Sequence, residues 1–229
     1  MTKPPLVSVI TPVYNGEKWI VETLQSISAS TYQNFEMVVV NDGSTDSTLD
    51  IVSDFAKSTK VQVRILNQPN SGESSAVNAG VANSSGVYIL VVNADDPVEP
   101  SLIENLVMRL EDEPTAVVAY PDWKMINRDG AVISTVTTPD YSRFRLICEN
   151  NCIPGPGAMI RKSSVVGPLR DISVKYIPDY EAWLRLSLKG QFVRVPKVLA
   201  SWRQHEGGAS SYVKGGGPAR EMAEVMFRF

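Results

Sequence analysis

The chain has 229 residues, 43% hydrophobic and 21% charged, enough apolar material to build a sizeable core in one domain. Its formal net charge of −3, with no cluster of Lys and Arg, argues against a dedicated nucleic-acid binder. No apolar run is long enough to span a bilayer, and Met1 to Pro5 lead into a strand without a signal-peptide pattern, so the default expectation is a cytoplasmic protein.

Taken in order, the first half alternates strand and helix. Leu6 to Val13 reads as a strand, and Glu17 to Ser28 as a helix with Ile20, Leu24 and Ile27 on one face. Phe35 to Val40 is a second strand, followed by a helix over Ser44 to Ser58 with Leu49, Val52 and Ala56 facing in. Val61 to Leu66, a short helix over Ser74 to Asn83, the strand Val87 to Val92 and a helix over Pro100 to Leu110 continue the alternation. Such βαβ regularity predicts an α/β fold with a mostly parallel sheet and helices on both faces.

The pattern changes after about Ala116. Ala116 to Tyr120 and Ala131 to Val136 read as strands around a turn at Asn127 to Gly130, where Asp129-Gly130 is a hairpin signal. An irregular Gly/Pro-rich loop, Ile153 to Gly157, precedes a strand at Ala158 to Ile160. A helix over Asp179 to Leu188 stops at Gly190, and Val198 to Gln204 is a strand. Trp183, Leu184, Leu186 and Leu188 are expected to face the core from that helix. Gly207 to Gly217 is Gly/Ser-rich, the composition of a mobile loop, and Pro218 to Phe229 resumes as an amphipathic helix with Met222, Val225, Met226 and Phe229 on one side. That last segment suggests peripheral attachment to a membrane surface. Cys148 and Cys152 have no second pair and no nearby histidine, which disfavours zinc and leaves reduced thiols.

The most informative segment is G-V-Y-I-L-V-V-N-A-D-D-P, Gly86 to Pro97, an apolar strand ending in Asp95 and Asp96. Two acids are costly in a core but suit the carboxyl edge of a parallel sheet, where ligands of open α/β folds bind. Hard oxygens there suit a divalent cation, and a cation suits a phosphorylated ligand; a solvated acidic turn is the bland alternative. T-P-V-Y-N-G, Thr11 to Gly16, sets a flat Tyr14 ring beside a helix start, useful for stacking a nucleobase. In N-D-G-S-T-D, Asn41 to Asp46, the Asp42 carboxylate is placed to accept from a base N–H, while Ser44 or Thr45 can cap the next helix. An ordinary turn and cap is the competing reading. Neither a dinucleotide-binding glycine fingerprint nor a P-loop is present.

In the order and spacing of six pieces the chain resembles the family 2 inverting glycosyltransferases of the GT-A fold. They are V-S-V-I-T-P-V-Y-N (Val7 to Asn15), V-V-V-N-D-G-S-T-D (Val38 to Asp46) and S-G-E-S-S-A-V-N-A-G (Ser71 to Gly80). G-V-Y-I-L-V-V-N-A-D-D (Gly86 to Asp96), P-D-Y-E-A-W-L-R-L (Pro178 to Leu186) and W-R-Q-H (Trp202 to His205) complete the set. The resemblance implies a Rossmann-like sheet with a smaller mixed acceptor-side subregion. It implies one domain over residues 1–211, with a nucleotide-sugar-binding half to residue 115, an acceptor half from 116, and an extension over 212–229.

By the same resemblance Pro12, Tyr14 and Asp42 look like nucleobase contacts, with Asn15 and Glu17 nearby, and Asn78 and Gly80 like the loop passing the sugar diphosphate. Asp95 looks closer to ribose and donor sugar, and Asp96 like the direct ligand of a Mn²⁺ or Mg²⁺ ion. Asp179 occupies the general-base position, although by itself it reads as a helix cap. His205, the only histidine, sits in an R-x-H element that approaches the metal or diphosphate. The implied partners are a nucleotide-diphosphate sugar, weakly a UDP-sugar, and a saccharide, lipid-linked or protein acceptor in surface polysaccharide or glycoconjugate synthesis. Three positions depart from the family pattern: Asn93 and Pro178 where acids are common, and Val77 where Arg is common. They keep open a second class, a catalytically silent nucleotide-sugar-binding or scaffolding domain.

Overall fold

A computed structural model describes residues 3–149, 151, 154–206 and 217–229. Cys152, the start of the 153–157 loop, the 207–216 stretch and the expected boundary at Ser211 lie outside the described residues. The first half runs β1 (Val7–Val13), α1 (Ile20–Ser28), β2 (Phe35–Asn41), α2 (Thr48–Ser58), β3 (Gln62–Asn67), α3 (Glu73–Ala82), β4 (Tyr88–Val91) and α4 (Leu102–Asp112). The second half follows with β5 (Ala116–Ile126), β6 (Val132–Val136), α5 (Arg143–Cys148), β7 (Met159–Arg161), α6 (Pro178–Ser187), β8 (Gln191–Arg203) and α7 (Gly217–Met226).

All the strands join one sheet, ordered β3-β2-β1-β4-β7-β5-β6, with β8 paired to β5. The β3-β2-β1-β4 part is parallel, as the alternation predicts. β1 and β2 are buried along their whole length and are mostly apolar because helices cover both faces, and the buried Ser8 hydroxyl donates to Glu36 at 2.7 Å. β7 runs antiparallel between β4 and β5, and β8 runs parallel to β5. Two reversals restore the original direction, so β5 and β8 end at the same sheet edge as β1, β2 and β4. That edge carries the polar loops.

Some elements differ from their expected extents, each for a local reason. β5 continues to Ile126 and β8 starts as early as Gln191, because Pro121 and Pro196 fall where the ladder slips. Pro121 pairs with Val195 and Asp122 with Val198, so the missing proline N–H groups sit at an irregularity. The short α5 was not expected from periodicity; it is opened by Ser142, whose hydroxyl accepts from the Arg145 N–H, and it buries only Leu146. α2 begins at Thr48 rather than Ser44, and neither Ser44 nor Thr45 caps it. Ser47 stands at the N-cap without a side-chain cap bond, and Asp46 just before it accepts from the Thr48 N–H at 3.0 Å. Leu188 is exposed at the end of α6, whereas Trp183, Leu184 and Leu186 are buried as expected.

The amphipathic face of α7 is used inside the molecule. Val225 is fully buried, with Met222 and Met226 packed against the same core cluster as α6. Three residues of the expected apolar stripe therefore meet the protein, while the fourth, Phe229, is exposed. No helix among the described residues is long and apolar enough to cross a membrane.

A buried ion pair fastens the second half. Asp122 on β5 accepts from Arg194 on β8 at 2.8 and 3.0 Å and from the Thr138 hydroxyl at 2.7 Å. Burial alone would raise the Asp122 carboxyl, but hydrogen bonds from Arg194 and Thr138 outweigh it and hold the group below its ordinary value. Its stabilisation is then complete above the unfolded value of about 3.9 and is lost as the pH falls through the lower folded value. Asp122→Asn is expected to cost about 1.5–3 kcal/mol at neutral pH, the range for hydrogen bonds to charged groups. Denaturant melts at pH 7 and pH 3 check this, the deficit shrinking at the acid end.

Candidate active site

A cleft of about 1720 Å³ opens along the carboxyl edge of the sheet, walled by the ends of β1, β2, β4, β5 and β8 and by the 154–157 and 169–183 segments. All four tryptophans of the chain, Trp19, Trp123, Trp183 and Trp202, line it. Trp123 and Trp202 meet edge to face, with ring centroids 6.2 Å apart. The indole N–H of Trp183 is buried and has no partner among the described residues. Gly157 adopts φ +76°, and a Cβ there would lie 2.7 Å from that of Ala200, so only glycine lets this loop lie against β8.

On the β1 side, Pro12, Tyr14, Asn15 and Glu17 line the cleft, with Tyr14 half exposed at its mouth. Asn15 and Glu17 also bracket two loops together. Asn15 Oδ1 accepts from Thr45 N at 2.8 Å and its N–H donates to Ser44 Oγ at 3.0 Å. Glu17 accepts from Ser47 N at 3.0 Å, and its own N–H donates to Asp46 at 3.2 Å. Burial would raise the Asp46 carboxyl, but hydrogen bonds from Thr48 and Glu17 outweigh it and keep the group below its usual range. Asp42 lies on the wall but is largely committed: Oδ1 accepts from Gln68 Nε2 and Ser71 N, and Oδ2 from Gly72 N at 2.8 Å. Its carboxylate shapes the loop before α3 and retains acceptor capacity on Oδ2.

Asn78 and Gly80 do not line the cleft. Gly80 lies under α3 against the sheet, where a Cβ would come within 2.3 Å of an Ile10 methyl, so this glycine serves packing. Asn78 instead grips the Arg170 backbone, donating to its carbonyl and accepting from its N–H at 2.8 Å each.

The acidic end of β4 is held by the end of β8. Asp95 Oδ2 is 2.8 Å from His205 Nε2, whose ring packs on Trp19 at 4.1 Å between centroids. Asp96 is 4% exposed; its Oδ1 accepts from the Arg203 N–H at 2.7 Å and its Oδ2 from Asn93 Nδ2 at 3.2 Å. Burial, then the neighbouring Asp95 charge, push the Asp96 carboxyl up to about 8. Arg203 is the keystone. Its side chain donates to the Asp95 carbonyl, to Glu22 on α1, and to the carbonyls of Asn127 and Arg128 in the hairpin.

Asp179 lies at the second position of α6, behind Pro178. The N-cap residue is Ile177, and the Asp179 carboxylate, 56% exposed, pairs with the Arg170 guanidinium instead of capping the helix. Sequence reasoning did not single out Arg170, Arg203, Trp19, Trp123 or Trp202 as site residues in their own right. For the tryptophans the available signal was their concentration near the loops already marked as polar.

A glycosyl transferase family 2 model matches residues 8–166. The chain belongs to glycosyl transferase family 2. A protein of Haemophilus influenzae described as an uncharacterized glycosyltransferase is 35% identical over 223 residues, covering 92% of this chain and 69% of that one. The hyaluronan synthase of Pasteurella multocida is 29% identical over 199 residues, 86% of this chain but only 20% of the synthase. Among solved structures, S. aureus TarS 1–349 in complex with UDP-GlcNAc superposes with a TM-score of 0.74 at 23% identity, covering 96% of this chain and 65% of that one. The mannosyltransferase PcManGT of Pyrobaculum calidifontis, in complex with GDP-Man and Mn²⁺, gives 0.69 at 18% identity, covering 91% and 59%. The mixed sheet flanked by helices is the GT-A fold.

The donor set at the acidic edge can be tested for a cation. Among the described residues no group of three or more His, Cys, Asp or Glu side chains is placed to hold a metal ion. An open pair, the buried Asp96 carboxylate beside the partly exposed Asp95 on the cleft wall, would leave an ion positions for ligand phosphates and water. A mixed oxygen and imidazole set also accommodates Mn²⁺.

Proposed function

We propose that the family 2 domain is an inverting glycosyltransferase, moving a sugar from a UDP-sugar to a hydroxyl of a saccharide, lipid-linked or protein acceptor. One observation carries this reading: the Asp95–Asp96 edge, with Asp96 buried, and the exposed Asp179 carboxylate share one cleft walled by every tryptophan of the chain. Aromatic faces with a few convergent polar groups suit a sugar, which has apolar C–H faces and hydroxyl edges. The UDP-GlcNAc named with TarS supports the choice of uridine.

Each residue then has a role. Tyr14 and Pro12 offer the base a surface at the β1 end, and Asp42 has acceptor capacity for a base N–H. Asp96, with Asp95 and His205 beside it, would hold Mn²⁺ or Mg²⁺, which when bound supplies Lewis-acid neutralisation of the diphosphate. Asp179 accepts the proton of the incoming hydroxyl as its oxygen bonds to the anomeric carbon and the opposite C–O bond to the diphosphate breaks, its electron pair leaving with UDP. Asp179 is positioned for that step by its pairing with the Arg170 guanidinium on the cleft wall. Arg203 and Asn93 hold the acidic turn in place from behind.

A panel of UDP- and GDP-sugars with Mn²⁺, scored for nucleotide release in the presence of saccharide acceptors, tests the reading. UDP release dependent on acceptor supports it. Donor binding without release under any acceptor points to a binding or scaffolding domain, which the Asn93 departure favours.

A further inference from the structure

The C-terminal helix holds the segment that carries Asp179. A single side chain on α7, Glu221, accepts from three successive backbone N–H groups: Lys175 at 2.8 Å, Tyr176 at 2.6 Å and Ile177 at 3.0 Å. These residues immediately precede α6, and Lys175, Tyr176, Pro178 and Asp179 line the cleft. Farther along, Arg228 reaches Asp171 at 2.8 Å, at the other end of the same segment. Val225 is fully buried between these contacts, and the Tyr180 hydroxyl lies 3.7 Å from Met226 Sδ. Because Glu221 and Arg228 are 44 or more residues away in sequence from what they grip, the segment depends on α7 for its shape.

We propose that α7 is a clamp on residues 171–177, with Glu221 and Arg228 acting as positioning residues that fix where Asp179 and its partner Arg170 meet the cleft. The inference rests on the proposed role of Asp179. Three N–H groups aimed at one carboxylate fix the backbone more tightly than packing alone, since each is a charge-assisted bond with its own direction. Catalytic groups lose effect steeply when misplaced by about 1 Å, so a loosened segment should lower turnover without altering the base-binding wall at β1 and β2.

The test compares wild type, Glu221→Ala, Glu221→Gln, Arg228→Ala and Asp179→Asn by hydrogen exchange over residues 171–181. Steady-state turnover is measured on the panel sugar nucleotide that wild type consumes fastest. Glu221→Ala is expected to raise exchange in that segment at least tenfold and to lower kcat about tenfold or more, with donor KM changed less than twofold. Glu221→Gln, which keeps one acceptor oxygen, should fall between, and Arg228→Ala should shift both readouts in the same direction; if Glu221→Ala does not fold, these two variants decide. Increased exchange with wild-type kcat, or unchanged exchange, overturns the clamp. If Asp179→Asn is inactive while the clamp variants keep full turnover, the clamp falls and the site reading stands. If Asp179→Asn keeps wild-type turnover, or no panel sugar is consumed, the site reading falls and takes the clamp with it.

Discussion

Asp179→Asn is expected to lower kcat by about 10²–10⁴, the usual contribution of a general base, while leaving donor KM nearly unchanged. The substitution is nearly isosteric and keeps an oxygen able to accept from Arg170, so the 169–183 wall should retain its shape. What it removes is a site for the hydroxyl proton. A helix-capping aspartate would have its oxygens turned to the first-turn N–H groups, but this carboxylate is half exposed, lines the cleft and pairs with Arg170. Arg170 in turn is held through its backbone N–H and carbonyl by the Asn78 side chain. Initial rates for wild type and variant, at equal folded fraction, check the prediction.

The second large effect concerns Asp96. Mn²⁺ at about one hundred times its Kd is expected to stabilise the wild-type chain by about 2.7 kcal/mol. In a domain of this size that is a rise in Tm of roughly 5–10 °C. Asp96→Ala should abolish the Mn²⁺ shift and reduce turnover to background. The physical basis is the unfavourable position of this carboxylate: it is nearly buried, beside a second acid, with one backbone N–H and one side-chain amide as its donors. An ion coming to rest there relieves both the burial and the repulsion. Thermal shift with and without Mn²⁺ and UDP reads this independently of catalysis, and a shift retained in Asp96→Ala would remove Asp96 from the ion's ligands.

The first half of the fold was legible because parallel strands covered on both faces leave a plain mark, as in Val38 to Val40 and Tyr88 to Leu90, all fully buried. The β5 and β8 ends were obscured because Pro121 and Pro196 read as terminators, and only the pairing shows that the ladder slips around them. Asp95 and Asp96 are marked in the sequence by the apolar run they end, whereas His205 is marked by the family resemblance alone. Arg203 could not be understood the same way. A buried guanidinium needs acceptors, and its acceptors come from α1, the acidic turn and the hairpin, segments that no local pattern joins. Gly80 shows a different limit: a glycine passing a phosphate and a glycine passing a methyl group look alike until Ile10 is in place. The same holds for α7, whose apolar stripe suits a membrane or a core equally well until Val225 is found buried.

The configuration of the product tests the central claim most directly. With an α-linked UDP-sugar and an accepted saccharide, proton NMR of the first turnovers reports whether the anomeric centre has inverted. A single displacement assisted by Asp179 predicts a β-linked product, formed by wild type and lost in Asp179→Asn. An α-linked product, or equal formation of product by the variant, would contradict it.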